Sequence, residues 1–198
     1  EPGDVYLTAD RAEYTEGGLS HLLGNAEVAH DRQQVSADRI DYDQAAETID
    51  LVGDVNYWDD QMYLNGPRAH LDLAADTGRF DEVNYWLLDN RGRGSAALVE
   101  MDVGTSTRGT RVNYTTCDPD QGSRWNLTTN VWKLSASRLY IDHEAEQATG
   151  RHVILKLKDI PVFYSPYLSF PTSDKRKSGF LIPGIGSSSG YGFEFQAP

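Results

Sequence analysis

The chain is poor in cysteine, poor in basic charge and free of long apolar runs, and each shortage closes off a class of protein. No stretch of about 18 apolar residues exists, so no helix could span a bilayer. Lys and Arg number 18 against 30 Asp and Glu, a net charge of -12, so most of the surface should repel nucleic-acid phosphates and anionic membrane faces. Nucleic acid is set aside on that ground. Histidines stand at 21, 30, 70, 143 and 152, in no His-Glu-x-x-His or paired-cysteine spacing that would hold a metal. No Asp or Glu sits in an apolar context that would raise its pKa for acid catalysis. The expectation is therefore a protein that is not an enzyme, with no catalytic residue, metal or cofactor. The opening residues Glu1, Pro2, Gly3 and Asp4 are unlike a signal peptide, and the chain reads as a processed or trimmed piece.

What is present is a repeat. With 39% hydrophobic and 11% aromatic residues over 198 positions, the chain can build one proper core. Ala9-Asp10-Arg11-Ala12-Glu13-Tyr14 returns as Ala37-Asp38-Arg39-Ile40-Asp41-Tyr42, then as Gly66-Pro67-Arg68-Ala69-His70-Leu71, and more weakly as Ala136-Ser137-Arg138-Leu139-Tyr140-Ile141. Arg11 to Arg39 is 28 positions and Arg39 to Arg68 is 29, the range of solenoids and stacked β arrays. Each unit adds a strand after a glycine, as in Gly24 to Val28, Gly53 to Tyr57 and Gly150 to Ile154. Stacked two-strand units predict an all-β trough with one continuous interior.

Apolar residues alternate and then slip by one, as in Val35, Ala37, then Ile40, Tyr42. An extra residue at the Asp-Arg step must therefore form a bulge or corner that curls the sheet. The first strand, Val5, Tyr6, Leu7, Thr8 and Ala9, has no charge before Asp10 and could accept a partner strand. Residues 87 to 134 are read as β structure that leaves the repeat register. Ile160 to Pro171 places three prolines five apart, suited to an edge or irregular strand. A basic cluster, Lys175-Arg176-Lys177, follows, and the aromatics at 191, 193 and 195 have the alternation of an outer-membrane barrel strand. The sole cysteine, Cys117, lies where a strand runs into Asp118-Pro119-Asp120, a place better suited to a partner outside the chain than to burial.

Taken together, the proline strap, the Ser178-Gly179-Phe180-Leu181 step, the Tyr114-Thr115-Thr116-Cys117 turn followed by Trp125, and the Ala-Asp-Arg repeats closely resemble the periplasmic portion of the LptD family. These are lipopolysaccharide-assembly proteins of the Gram-negative outer membrane, and the resemblance covers nearly the whole chain. It implies a β-jellyroll (OstA-like) of stacked antiparallel strands with a V-shaped hydrophobic groove over 1-172, then a hinge and the first strand of a truncated barrel over 173-198. It also implies a passive, non-catalytic part of lipopolysaccharide transport, at the outer membrane and facing the periplasm. The groove would receive lipopolysaccharide from the periplasmic bridge protein LptA by jellyroll edge-strand stacking at Val5 to Ala9. It would shield the acyl chains and deliver the lipid to a barrel that holds the lipoprotein LptE.

The expected acyl-chain contacts are Leu7, Val28, Val35, Ile40, Tyr42, Val55, Tyr57, Leu71, Val83 and Tyr85. Lys175, Arg176 and Lys177 could meet lipid A phosphates. By the same resemblance Cys117 is disulfide-bonded to a cysteine of the barrel, which these 198 residues do not contain, so Cys117→Ser is expected to leave the melting temperature nearly unchanged. Two rival readings remain: a carbohydrate-binding module or polysaccharide lyase on a β stack, and a structural β array without a lipid ligand.

Overall fold

The computed structural model describes residues 5–30, 33–60, 62–88, 92–117, 132–172, 184–188 and 192–196. Every regular element among them is a strand: β1 Val5–Thr8, β2 Arg11–Glu13, β3 Leu19–His30, β4 Gln33–Asp43, β5 Thr48–Trp58, β6 Met62–Asp72 and β7 Thr77–Leu87. There follow β8 Arg93–Asp102, β9 Ser106–Thr115, β10 Trp132–Asp142, β11 Gln147–Leu157, β12 Ile160–Pro171, β13 Gly184–Ser188 and β14 Gly192–Gln196. Strands β1 to β12 form one antiparallel meander in the order β1-β3-β4-β5-β6-β7-β8-β9-β10-β11-β12, with β2 also paired to β3, and β13 with β14 makes a separate hairpin. The chain is all-β, as the repeats predicted, and its single sheet of stacked antiparallel strands matches the jellyroll that the family resemblance implied.

Each long strand turns a corner at its middle. In β3, β5, β7, β9 and β11 the corner is a residue with positive φ, namely Asn25 (44°), Asp54 (40°), Glu82 (51°), Arg111 (50°) and His152 (48°). The facing positions on the even strands are Asp38, Pro67, Ala97, Ser137 and Pro166. A proline is tolerated there, even in the interior strand β6, because the ladder is interrupted at that point. The corner was legible at the Asp-Arg step, but in the first repeats the extra residue lies on the strand before it. Gly24-Asn25 and Gly53-Asp54 each set two residues opposite one. Gly24 and Gly53 have φ of +71° and +78°, and a Cβ on either would strike the carboxylate of Asp10 or Asp38.

The corner residues 25, 54, 82 and 111 stand 29, 28 and 29 apart, so β8 and β9 keep the register that residues 87 to 134 were expected to leave. The long step of 41, from Arg111 to His152, contains residues 118–131, outside the described residues. Within the stretch from 87 to 134, β8 and β9 run over Arg93–Asp102 and Ser106–Thr115.

The corners divide the sheet into two arms. Arm one holds residues 26–30, 33–37, 55–58, 62–66, 83–87, 93–96, 112–115, 132–136, 153–157 and 160–165; arm two holds the other half of each strand. Their inner faces meet. Tyr57 of β5, on arm one, makes an edge contact with Phe80 of β7, on arm two, ring centroids 6.5 Å apart, although β6 lies between these strands. One buried cluster joins Ala37, Val55 and Val83 of arm one to Ile40, Leu51 and Phe80 of arm two. The cross-section is a V with its apex at the corners. Burying Leu51, Val83 or Val153, each about 1% exposed, stabilises the fold by roughly 1.5–3 kcal/mol per side chain.

Candidate functional site

Strand register builds the groove as unbroken cross-strand rows. On arm one a row runs Leu7, Val28, Val35, Tyr57, Leu64, Tyr85, Gly94, Tyr114, Leu134, Leu155 and Phe163, each residue paired with the next. On arm two a row runs Leu22, Ile40, Leu51, Ala69, Phe80, Val99, Gly109, Leu139, Gly150 and Leu168. A third, nearer the mouth, runs Tyr42, Ile49, Leu71, Gly78, Met101, Thr107, Ile141, Ala148 and Phe170. The inner wall thus stays almost wholly apolar from one sheet edge to the other.

All ten expected contacts fall on this wall. Leu7, Val28, Val35, Tyr57 and Tyr85 share the arm-one row, Ile40 is in the second row, and Tyr42 and Leu71 are in the third. Val55 and Val83 lie beside the corner. They are not equally accessible: Ile40, Val55 and Val83 are 1–3% exposed and touch one another's cluster, whereas Leu7, on the edge strand, is 59% exposed. Val35, Tyr57 and Leu71 border a cavity of about 230 Å³ between the arms, with Leu51, Val55 and Phe80 towards its floor and Gln33, Asp72, Asp76 and Thr77 towards its mouth. The expected acyl-chain contacts leave out Leu22, Leu51 and Phe80, which share this wall. Their spacing of 29 was a usable signal, and it continues to Gly109.

Polar groups on the wall are tied down. The Tyr57 hydroxyl donates to Asp59 Oδ2 at 2.9 Å, and the Tyr85 hydroxyl donates to the Asn113 carbonyl at 2.6 Å. Burial, and for Tyr57 also the neighbouring Asp59 carboxylate, pushes both phenols up, so they stay neutral at physiological pH. Burial alone does the same to Tyr114.

The outer faces differ from the inner ones and from each other. Arm one carries a polar row, Ser36, Asn56, Asn65, Asn84, Ser95, Asn113 and Ser135, linked in part by Asn65 Nδ2 to Asn56 Oδ1 at 2.8 Å and Ser135 Oγ to Asn113 Oδ1 at 2.8 Å. Arm two carries charged pairs. His21 Nδ1 lies 2.5 Å and Arg39 Nε 2.7 Å from Asp41 Oδ1. Burial would raise the Asp41 pKa, but bonding to Arg39 and His21 outweighs it and holds this carboxyl below its ordinary value. No group of three or more His, Cys, Asp or Glu among the described residues could hold a metal.

The expected partner strand site, β1, is the sheet edge, pairing with β3 alone, and Tyr6 on it is 67% exposed. The proline strap is β12, the other edge. Cys117 is half-buried; its amide donates to Thr115 Oγ1 at 3.1 Å, and its carbonyl accepts from Arg93 Nε at 2.7 Å. Lys175, Arg176 and Lys177 lie outside the described residues.

No protein-family model matches the chain. Over 196 residues it is 36% identical to the LPS-assembly protein LptD of Nitrosococcus oceani, a match that covers 99% of this chain and 26% of that protein. Proteins of the same name from Shewanella oneidensis and Nitrosomonas europaea are each 29% identical over 194 residues, 98% of this chain and 24% and 26% of theirs. The chain spans about a quarter of the length of these curated relatives. Among solved structures it is similar to LptH of Pseudomonas aeruginosa, described as the LptA-homologous periplasmic component of a lipopolysaccharide transport device, with 14% identity, a TM-score of 0.44 and coverage of 50% of this chain and 76% of that one.

Proposed function

Since the chain is homologous along essentially its whole length to a segment of the LPS-assembly proteins LptD, we propose that it is a non-catalytic conduit for lipopolysaccharide, whose V-shaped groove shields the acyl chains while the sugars stay in water. The observation that carries this reading is the unbroken apolar row from Leu7 to Phe163, which offers a lipid tail the same surroundings at every strand. Each methylene moved from water onto that wall is favourable by about 0.8 kcal/mol. The proposed tail contacts are the ten residues named above. Val35, Tyr57 and Leu71 would meet the lipid first, with Val55 at the cavity floor, while Ile40 and Val83 are reached only when the arms part.

The same reading makes 1-172 the periplasmic jellyroll and 173-198 the hinge and start of the outer-membrane barrel, with β1 receiving LptA, LptE held in the barrel, and Cys117 bonded to a barrel cysteine. A filled structural array is the second reading, favoured by the small cavity: 230 Å³ is below the roughly 300–1,000 Å³ of preformed ligand pockets.

Photocrosslinking separates the two. With a probe at Tyr57 or Leu71 on the inner wall, or at Asn84 on the outer face, whole lipopolysaccharide should label from the inner positions only. Absence of inner labelling would leave the filled array. Equal labelling by delipidated polysaccharide would point to a sugar-binding module.

A further inference from the structure

Charge is unevenly distributed along the stack. Strands β1 to β8 hold five Lys and Arg against twelve Asp and Glu, whereas β9 to β12 hold Arg108, Arg111, Lys133, Arg138, Arg151 and Lys156 against Asp142 alone. With the turns between these strands counted, Lys158 against Glu144, Glu146 and Asp159, the described residues of that end remain basic, seven to four, in a chain of net charge -12.

Three of those arginines form a cluster. Arg138 and Arg151 are direct cross-strand partners on the outer face of arm two, both exposed, and Arg111 sits at the next corner, opposite Ser137. Like charges placed directly opposite destabilise a sheet. Arg11, Arg39, Arg79 and Arg108 each have a carboxylate within 4 Å, but among the described residues Arg111, Arg138 and Arg151 have none. The Arg151 guanidinium lies 5.8 Å from the Tyr167 ring centroid, and at the same end that of Arg108, which is paired with Asp102, lies 5.6 Å from Tyr140. The edge strand beside them, β12, exposes Ile160, Val162, Tyr164 and Tyr167 to between 52% and 66%.

Arginines without a carboxylate partner, beside an edge strand of exposed tyrosine and aliphatic side chains, are the composition of a surface that rests on lipid headgroups. The cations meet the phosphates and the aromatics enter the interfacial layer. We propose that the β9–β12 end of the sheet, centred on Arg111, Arg138 and Arg151, docks on an anionic phospholipid surface. The acidic β1–β8 end is held off the same surface by repulsion, which orients the groove with β12 towards the membrane. This docking does not depend on the groove's cargo.

The test is sedimentation of the 198-residue chain with phosphatidylcholine vesicles and with vesicles containing phosphatidylglycerol. Binding is expected only to the anionic vesicles, weakening as salt rises. The variant Arg111→Gln/Arg138→Gln/Arg151→Gln should bind at least tenfold less, while Arg68→Gln in the acidic half should bind as the parent does. Arg138→Glu keeps a cross-strand partner for Arg151, so the fold is retained while the patch loses charge, and it should weaken binding in the same direction. Equal binding to both vesicle types, or unchanged binding by the triple variant, would overturn the proposal. So would displacement by inorganic phosphate at matched ionic strength, which would mark a site for free phosphate instead.

Discussion

Gly94 shows how a single absent Cβ shapes the groove wall. It pairs with Tyr85 on one side and Tyr114 on the other, and the space above it lets the Tyr85 hydroxyl reach the Asn113 carbonyl. A Cβ there would fall on that carbonyl and come within 2.6 Å of the Tyr85 hydroxyl. Gly94→Ala is therefore expected to lose about 1–3 kcal/mol, the usual range for overpacking, measured by denaturant unfolding. Asp41 gives a pH signature at the same scale. Its carboxyl is held below its ordinary value in the folded protein, so its bonds to Arg39 and His21 contribute stability above the unfolded pKa, and that contribution is lost as pH falls through the folded value. Melting temperature should drop below about pH 4, and Asp41→Asn should flatten that drop. An unchanged acid limb in the variant would show that other carboxylates govern it.

Among the elements, the turns closing arm two repeat one device. Asp43 Oδ1 accepts from the amides of Ala45 and Ala46, Asp72 Oδ1 from Ala75, and Asp142 Oδ1 from Ala145, and each turn ends on a left-handed residue, Glu47, Asp76 or Glu146. The turns are also stitched to the next unit: the amide of Leu73 donates to the Glu47 carbonyl and that of Val103 to the Asp76 carbonyl, both at 2.9 Å. Asp43→Ala removes two acceptor contacts at an exposed turn and should cost about 1 kcal/mol. Hydrogen exchange at Ala45 and Ala46 should speed up while the corner amides are unaffected; global acceleration would mean the turn nucleates more than itself. The strands and corners were legible because alternation of Val35, Ala37, Ile40 and Tyr42 records which face each residue takes. The strand that carries the bulge was not, since Gly53-Asp54 and Asp38-Arg39 both read as an interruption and only register separates them. The continuation through β8 and β9 was hidden because Ala97-Leu98 stands where the earlier repeats have Asp38-Arg39 and Pro67-Arg68.

For the molecule as a whole, backbone pairing holds each strand to its neighbours and the backbone joins the arms at the corners, but away from the corners the described contacts between arm one and arm two are made by side chains. Sequence pattern could tell which residues face inward and could not tell how closely the arms approach. Ile40 and Leu71 look alike in the repeat, yet one is 3% exposed and the other borders the cavity. The corners, interrupted ladders with positive φ, are the natural hinge for opening, and the Tyr57–Phe80 contact, worth about 0.5–1.5 kcal/mol beyond its buried area, is a clasp across it. If lipid enters by parting the arms, fixing that clasp should block entry without harming the fold. In a Cys117→Ser background, Tyr57→Cys and Phe80→Cys joined by a short bismaleimide should melt at or above the untethered pair and lose lipopolysaccharide labelling from a probe at Leu71. Binding of the β9–β12 end to anionic vesicles should be unaffected. Full labelling in the tethered protein would show that the tails enter along the trough from an open sheet edge, and the V would then act as a fixed channel rather than a jaw.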